Sequence, residues 1–274
     1  DRRKYNGAVL KFLKVDNEHQ IDIEDIESLI SERTKVIAIT HLSNTTGQTI
    51  DIKKVCDIAH KHGIIVVVDG TQSAPHMKVD VQDLGCDFYV MSGHKMYGPS
   101  GIGIMYAKRI WIDKLDPALG GGGIVETVEH DNVEYSEGSK KWEAGTLAIT
   151  EIIGLHEALK FYERTGFDMM IDHEQDVINY AYDRLSELPY IKLIGNNKRK
   201  AVISFNVGNI HQQDMAMFLD AYGIAIRAGH HCTQILHRQI GWSGSCRIST
   251  GIYNCKEDID YLVDSIVNIY DRFN

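Results

Sequence analysis

Apolar residues follow two alternating rhythms over roughly the first hundred positions. Ile23–Ile30 carries them at helical spacing, Val36–Thr40 is a short continuous run, and Asp51–His62 again shows one apolar face. That last segment starts on an acid and stops at Gly63, the usual bounds of a helix. Ile64–Val68 and Phe88–Met91 are apolar β-branched or aromatic runs, and Gly101–Tyr106 is a third short one. Runs without polar alternation belong to buried strands, and their alternation with helices predicts a mostly parallel sheet with crossover helices.

The rhythm changes near Leu119. Four successive glycines, Gly120 to Gly123, precede a polar stretch reaching Lys141, which predicts a flexible lid or subunit contact followed by an exposed hairpin. The glycines lack the strand-to-helix setting of a dinucleotide loop. Helices resume at Thr150–Glu163 and Phe167–Leu188, with Thr165-Gly166 as the best break. Strands near Ile191–Leu193 and Ala201–Asn206, a helix near Asp214–Ala221 and a final amphipathic helix at Lys256–Arg272 follow. The pattern is that of an α/β protein, with residues 1–164 in a larger domain and 165–274 in a smaller α+β one.

Composition narrows the function. A net charge of −9 and the lack of a dense Lys/Arg cluster argue against a nucleic-acid surface. No apolar stretch approaches the ~20 residues of a membrane span. The five cysteines (Cys56, Cys86, Cys232, Cys246 and Cys255) are odd in number and form no CxxC pair, which points to a reducing compartment. Cys56 and Cys86 read as small core residues. The chain opens on Asp-Arg-Arg-Lys-Tyr, which has the look of the charged end of a helix already begun, so a preceding N-terminal part is expected.

The candidate chemistry starts at Asp69, which closes the run Ile-Ile-Val-Val-Val, and at Lys95, which lies 26 positions later in Ser-Gly-His-Lys. Strand ends of a parallel sheet are where α/β proteins bind ligands. A carboxylate and an amine at one rim suit pyridoxal phosphate: the lysine forms the Schiff base and the acid keeps the pyridine nitrogen protonated. The rival reading is a salt bridge. A second signal is Arg227-Ala-Gly-His-His-Cys232, a cysteine on a tight turn beside imidazoles and an arginine, neighbours that favour a nucleophilic thiolate. A zinc site fits poorly, because consecutive residues rarely face one metal and no second ligand cluster stands at zinc-like spacing. An unreactive structural cysteine is the plainer alternative.

Arg247, 15 residues after Cys232 on a strand pattern, is suited to grip a carboxylate through two parallel hydrogen bonds, or else forms a surface ion pair. Asn44 and Gln72 follow strands and can orient a ring hydroxyl or simply serve a turn. Ser92, His94 and Thr146 are possible phosphate donors.

Five segments carry a family resemblance: Thr-His-Leu-Ser-Asn-Thr-Thr-Gly, Val-Asp-Gly-Thr-Gln-Ser, Ser-Gly-His-Lys-Met-Tyr-Gly-Pro-Ser-Gly-Ile-Gly, Trp-Glu-Ala-Gly-Thr and Arg-Ala-Gly-His-His-Cys. In this order the chain resembles the class V aminotransferase family of fold-type I pyridoxal-phosphate enzymes. Within it, the chain looks most like the group II, SufS-type cysteine desulfurases, which include selenocysteine lyases. The resemblance implies an aspartate-aminotransferase-like fold, Lys95 as Schiff-base lysine, Asp69 at the pyridine nitrogen and Gln72 at the ring hydroxyl. It also implies Asn44 beside cofactor and substrate, Ser92 and His94 on the phosphate, and Thr146 contributed across a homodimer. Cys232 would take sulfur from L-cysteine as a persulfide and release L-alanine, with Arg247 on the substrate carboxylate and Arg227 lining the pocket.

A cytoplasmic enzyme is implied, handing sulfur to an acceptor of the SufE or SufU kind for iron–sulfur cluster or related cofactor assembly. Selenocysteine lyase, another class V activity, or a catalytically inactive partner subunit are the competing readings. Two departures stand out. The family's N-terminal region, with a histidine stacked on the cofactor ring, has no counterpart in this chain, and Ile235 stands where close relatives carry proline.

Overall fold

The computed structural model describes residues 7–273. The opening Asp-Arg-Arg-Lys-Tyr segment, expected as helix, lies outside the described residues. The chain divides into two compact units. The first comprises Lys35–Thr40 and Ile52–Gly166; the second comprises the stretch up to Thr34, His41–Asp51 and everything from Phe167 onward. The break therefore falls at Gly166, which leaves the preceding helix with φ +91°. Residues before Thr34 and from His41 to Asp51, expected with the larger domain, cluster with the C-terminal unit instead.

In the first unit, strands β1 (Val36–Thr40), β2 (Ile65–Asp69), β3 (Phe88–Ser92) and β4 (Gly103–Ala107) form one sheet in that order. The first three run parallel and β4 pairs antiparallel to β3. Helix α1 (Ile52–Lys61) is the crossover between β1 and β2. It buries Ile52, Val55, Cys56 and Ala59, spaced three and four apart as one helical face requires. Val66 and Val68 of β2 are fully buried, whereas Ile65 and Val67 are only half-buried and Asp69 is exposed. The continuous apolar run predicts two dry faces, but one face instead opens onto a cleft.

Two single helical turns, α2 (Ser73–His76) and α3 (Val81–Leu84), lead to β3. The Asp80 carboxylate caps α3 by accepting from the Gln82 and Asp83 amides. Beyond β4 come α4 (Arg109–Lys114), the hairpin β5 (Val125–Val128) and β6 (Val133–Tyr135), and α5 (Ile149–Thr165). The hairpin lies where the polar stretch predicts one.

The second unit is built on an antiparallel sheet in the order β7 (Ile191–Ile194), β8 (Val202–Val207), β10 (Ser245–Ser249), β9 (Arg227–Gly229). Helices α6 (Phe167–Ser186), α7 (Gln212–Ala221) and α9 (Lys256–Phe273) share a core with it. Val177, Ile178, Ala181 and Leu185 of α6 meet Ile259, Leu262, Val263, Ile266 and Ile269 of α9, over Ile203, Phe205 and Val207 of β8. Each such side chain contributes about 1.5–3 kcal/mol when fully buried. A short helix, α8 (Gln234–Gln239), sits between β9 and β10.

Ile23–Ile30 forms only one helical turn, Ile26–Leu29, because Ile26 alone is buried and Asp25 provides no side-chain cap. Short helices α4 and α8 carry no periodic signal over their six residues each and are absent from the sequence expectation. Among the described residues, no helix is long and apolar enough to cross a membrane.

Candidate active site

Parallel register brings the C-terminal ends of β1, β2 and β3 level. Thr40 pairs with Asp69, and Asp69 with Val90, two residues before the end of β3. A cleft of about 370 Å³ opens beside them, lined by Ala38, Ile39, Thr40, Val67, Asp69, Thr71 and Val90. Its walls are apolar apart from two threonines and the single carboxylate. Asp69 Oδ1 accepts a hydrogen bond from the Thr71 amide at 2.9 Å, which fixes the side chain; among the described residues Oδ2 has no hydrogen-bond partner. A flat, weakly basic ring fits this lining.

The turn after Asp69 depends on glycine. A Cβ on Gly70 would stand 1.9 Å from a ring carbon of Tyr89, so the strand end and that ring cannot otherwise coexist. Tyr89 is fully buried, and burial raises its hydroxyl to about 12, partly offset by its bond to Ser73. Ser73 donates to the Gly70 carbonyl at 3.1 Å, so Tyr89 donates to Ser73. Gln72 heads α2 in helical backbone, half-buried.

After β3 the chain makes a tight 3₁₀ turn, Gly93–Lys95. The Gly93 amide bonds to Ile102 O at 2.9 Å, and the Gly98 amide returns to Gly93 O at 3.0 Å. This closed loop carries Lys95, half-buried, at the same end of the sheet as Asp69. Ser92 Oγ and His94 Nδ1 lie 2.8 Å apart. Thr146 is exposed in the turn before α5.

In the second unit, β9 and β10 set Arg227 directly opposite Arg247. Like charges paired across two strands are unfavourable unless an anion joins them. Arg247 donates through Nη1 to Asn44 O at 3.1 Å, while its buried Nε has no partner among the described residues. Burial depresses the Arg247 guanidinium first, the Arg227 charge adds to this, and Cys232 acts in the opposite direction. The pair is thus short of a negative group.

Cys232 is exposed, at the third position of a turn closed by the Thr233 amide on His230 O at 2.8 Å. Both central residues are left-handed, His231 at φ +49° and Cys232 at φ +63°. His231 donates from Nε2 to Ser245 O at 3.0 Å. Burial, then the Arg247 charge, lowers its pKa to about 4. The imidazole beside the thiol is therefore neutral near pH 7, and any cationic help comes from the arginines rather than from His231. Ile235 sits in the first turn of α8, which fixes the chain just beyond the thiol.

Two supporting residues, His237 and Asp87, and one contact of Asn44 escape the sequence reading. Asn44 uses its amide on the His231 carbonyl at 2.6 Å. His237, fully buried, accepts from Ser245 Oγ at 3.1 Å and donates from Nδ1 to Thr233 O at 3.1 Å. Asp87 is a buried carboxylate with four donors around it. Neighbouring positions in the sequence give no signal for His237, for the bond from Asn44 to His231, or for Asp87, which merely heads an apolar run.

A family model described as aminotransferase class-V matches residues 1–262, and the chain belongs to that family, whose enzymes depend on pyridoxal phosphate. It is 44% identical over 270 residues to a probable cysteine desulfurase of Halalkalibacterium halodurans, covering 98% of this chain and 66% of that protein. A probable cysteine desulfurase of Staphylococcus aureus is 41% identical over 273 residues, covering 99% of this chain and 66% of the relative. The fold matches the cysteine desulfurase CsdA of Escherichia coli with a TM-score of 0.94 at 33% identity, over 98% of this chain and 67% of that one. The chain thus spans about two thirds of the length of these relatives.

Proposed function

We propose that this chain serves a pyridoxal-phosphate-dependent cysteine desulfurase, which converts L-cysteine to L-alanine and keeps the sulfur as a persulfide on Cys232. The observation that carries the reading is the exposed thiol on its left-handed turn, three residues beyond strand β9, whose Arg227 faces Arg247 with its unsatisfied buried N–H. The named relatives support it.

The residues fit the cofactor on the cleft's own chemistry: an apolar floor, one carboxylate at a strand end, and an amine-bearing loop at the same strand ends. Bound there, the cofactor supplies the electron sink that labilises bonds at the substrate α-carbon. Lys95 would hold it covalently and then move the α-proton as a neutral amine. Asp69 would keep the ring nitrogen protonated, Gln72 would meet the ring hydroxyl, and Ser92 and His94 would hold the phosphate. Asn44 would lie beside cofactor and substrate, and Thr146 would reach the phosphate of a second copy in a homodimer.

Arg247, with Arg227 beside it, would grip the substrate carboxylate through two parallel bonds. The Cys232 thiolate attacks the substrate sulfur. The new S–S bond forms as the substrate's C–S bond breaks, and the carbon takes a proton to become alanine, with no net oxidant required. Exposure of Cys232 lets a thiol acceptor of the SufE or SufU kind collect the sulfur, in the cytoplasm, for iron–sulfur or related assembly.

Intact-mass measurement after incubation with L-cysteine tests this. The full-length enzyme is expected to gain one sulfur on the Cys232 peptide. Cys232→Ala is expected to gain none and to retain pyridoxal phosphate. Undiminished desulfuration of cysteine by Cys232→Ala overturns the assignment.

A further inference from the structure

Two consecutive left-handed non-glycine residues form a strained turn, and such conformations persist only when their surroundings fix them. His231 and Cys232 are in that state; positive φ is uncommon for any non-glycine residue, and although histidine enters the left-handed region more readily than most, cysteine does not share that preference. Something outside the turn must hold it. Two neighbouring residues of His41–Asp51, far away in sequence but in the same unit, supply the contacts.

Asn44 Nδ2 donates to the His231 carbonyl at 2.6 Å, bracing the peptide that leads into Cys232. The Thr45 hydroxyl lies 2.9 Å from that of Thr233. Thr233 gives its own proton to His230 O at 2.8 Å, so Thr45 donates to Thr233. Thr45 is itself fully buried, and its carbonyl accepts from Ser204 Oγ of β8 at 2.7 Å. The Asn44 carbonyl takes the Arg247 bond on β10 at 3.1 Å. Both residues are therefore anchored to the sheet by their main chain and grip the thiol turn by their side chains, one on each flank of Cys232.

We infer that Asn44 and Thr45 form a latch that holds the Cys232 turn in its left-handed form, so that Asn44 is a positioning residue for the thiol as well as a neighbour of substrate. The inference rests on Cys232 as the sulfur carrier. It adds that the thiol sits on a preset perch whose position is shared with the grip of Arg247 on the substrate, through one residue, Asn44.

Hydrogen exchange of the full-length protein, read by mass on peptides covering residues 230–234, β8 and β10, tests the latch without substrate. Losing one hydrogen bond is expected to speed exchange of the turn about fivefold. Asn44→Ala and Thr45→Val should both do so and leave β8 and β10 unchanged, while Thr45→Ser, which keeps the hydroxyl, should match wild type. Asn44→Asp preserves the size but cannot donate to a carbonyl, and it should behave like Asn44→Ala.

Unchanged exchange at the turn in Asn44→Asp and Thr45→Val overturns the latch. So does a Thr45→Ser rate equal to Thr45→Val, or acceleration spread equally over both strands. Sulfur uptake on wild-type Cys232, measured separately, keeps the two readings apart. A quiet turn with uptake intact removes the latch alone, and a faster turn without uptake removes the desulfurase reading alone.

Discussion

Replacing Asp87 should cost the first unit more stability than any surface substitution, and the structure sets the size of the loss. The carboxylate is 4% exposed and is held by four donors. Oδ2 accepts from His60 Nε2 at 2.9 Å and from the Val66 amide at 2.8 Å. Oδ1 accepts from Trp111 Nε1 at 2.9 Å and from Lys108 Nζ at 3.2 Å. Desolvation raises the Asp87 pKa, but the bonds from Trp111, Val66, His60 and Lys108 outweigh it, and the group sits below its ordinary 3.8.

Asp87→Ala leaves the Val66 amide buried and unpaired, together with the indole N–H. Breaking a buried charge network by removing one partner costs about 3–5 kcal/mol. Lys108 and His60 are a third or more exposed and can rehydrate, so the lower end, about 3 kcal/mol, applies. With a urea slope of about 1–3 kcal/mol/M, the unfolding midpoint should fall by about 1 M or more.

Asp87→Asn keeps the volume but turns one donor toward other donors, and should lose somewhat less. The pH dependence gives a second check. A carboxyl whose folded pKa is depressed stabilises above its unfolded pKa, and that contribution is lost as pH falls through the folded value. The gap between wild type and Asp87→Asn should therefore be full at neutral pH and shrink below about pH 4. An Asp87→Ala midpoint indistinguishable from wild type at pH 7, or a gap that widens on acidification, refutes the argument. The site is at stake as well. Asp87 bonds to Val66 across β2 and β3, and a one-residue slip there would turn Asp69 away from the cleft.

Two further outcomes follow from the same geometry. Gly70→Ala forces its Cβ into the Tyr89 ring, which should cost about 1–3 kcal/mol and displace Asp69; a protein with unaltered melting and full pyridoxal-phosphate content refutes this. Arg247→Lys keeps the charge but loses the planar fork, and should lower kcat/KM for L-cysteine by about 10- to 100-fold, through KM, in a steady-state assay of alanine release; an unchanged KM removes Arg247 from the substrate carboxylate.

What the chain reveals in advance depends on whether a signal is local. Asp69 and Lys95 are legible because a strand end is local: an apolar run, then an acid or a short polar turn, places a side chain at a rim without reference to anything distant. The turn bearing Cys232 is legible for the same reason, from Gly-His-His-Cys. Its left-handed backbone is not: histidine visits positive φ more often than most residues, but two such residues in succession, one of them cysteine, are not marked by any local signal. The polar groups that fix these residues are different in kind. Asp87 is satisfied from His60, Val66, Lys108 and Trp111, which come together only when α1, the strands and α4 have packed.

Asn44 admits two readings in sequence, ring partner or turn residue, and spends its amide on a carbonyl 187 positions away. Long separation also hides the division of the chain. Val36–Thr40 belongs to one unit while the stretches on either side of it belong to the other, which no composition shift marks. Evolution is free to choose such partners from any element that passes nearby, so a strand-end acid can be read from five preceding residues while its support cannot. The latch at Asn44 and Thr45 is the sharpest instance: its residues lie inside a motif that the family resemblance assigns to cofactor and substrate, and only their hydrogen-bond partners point to a further role.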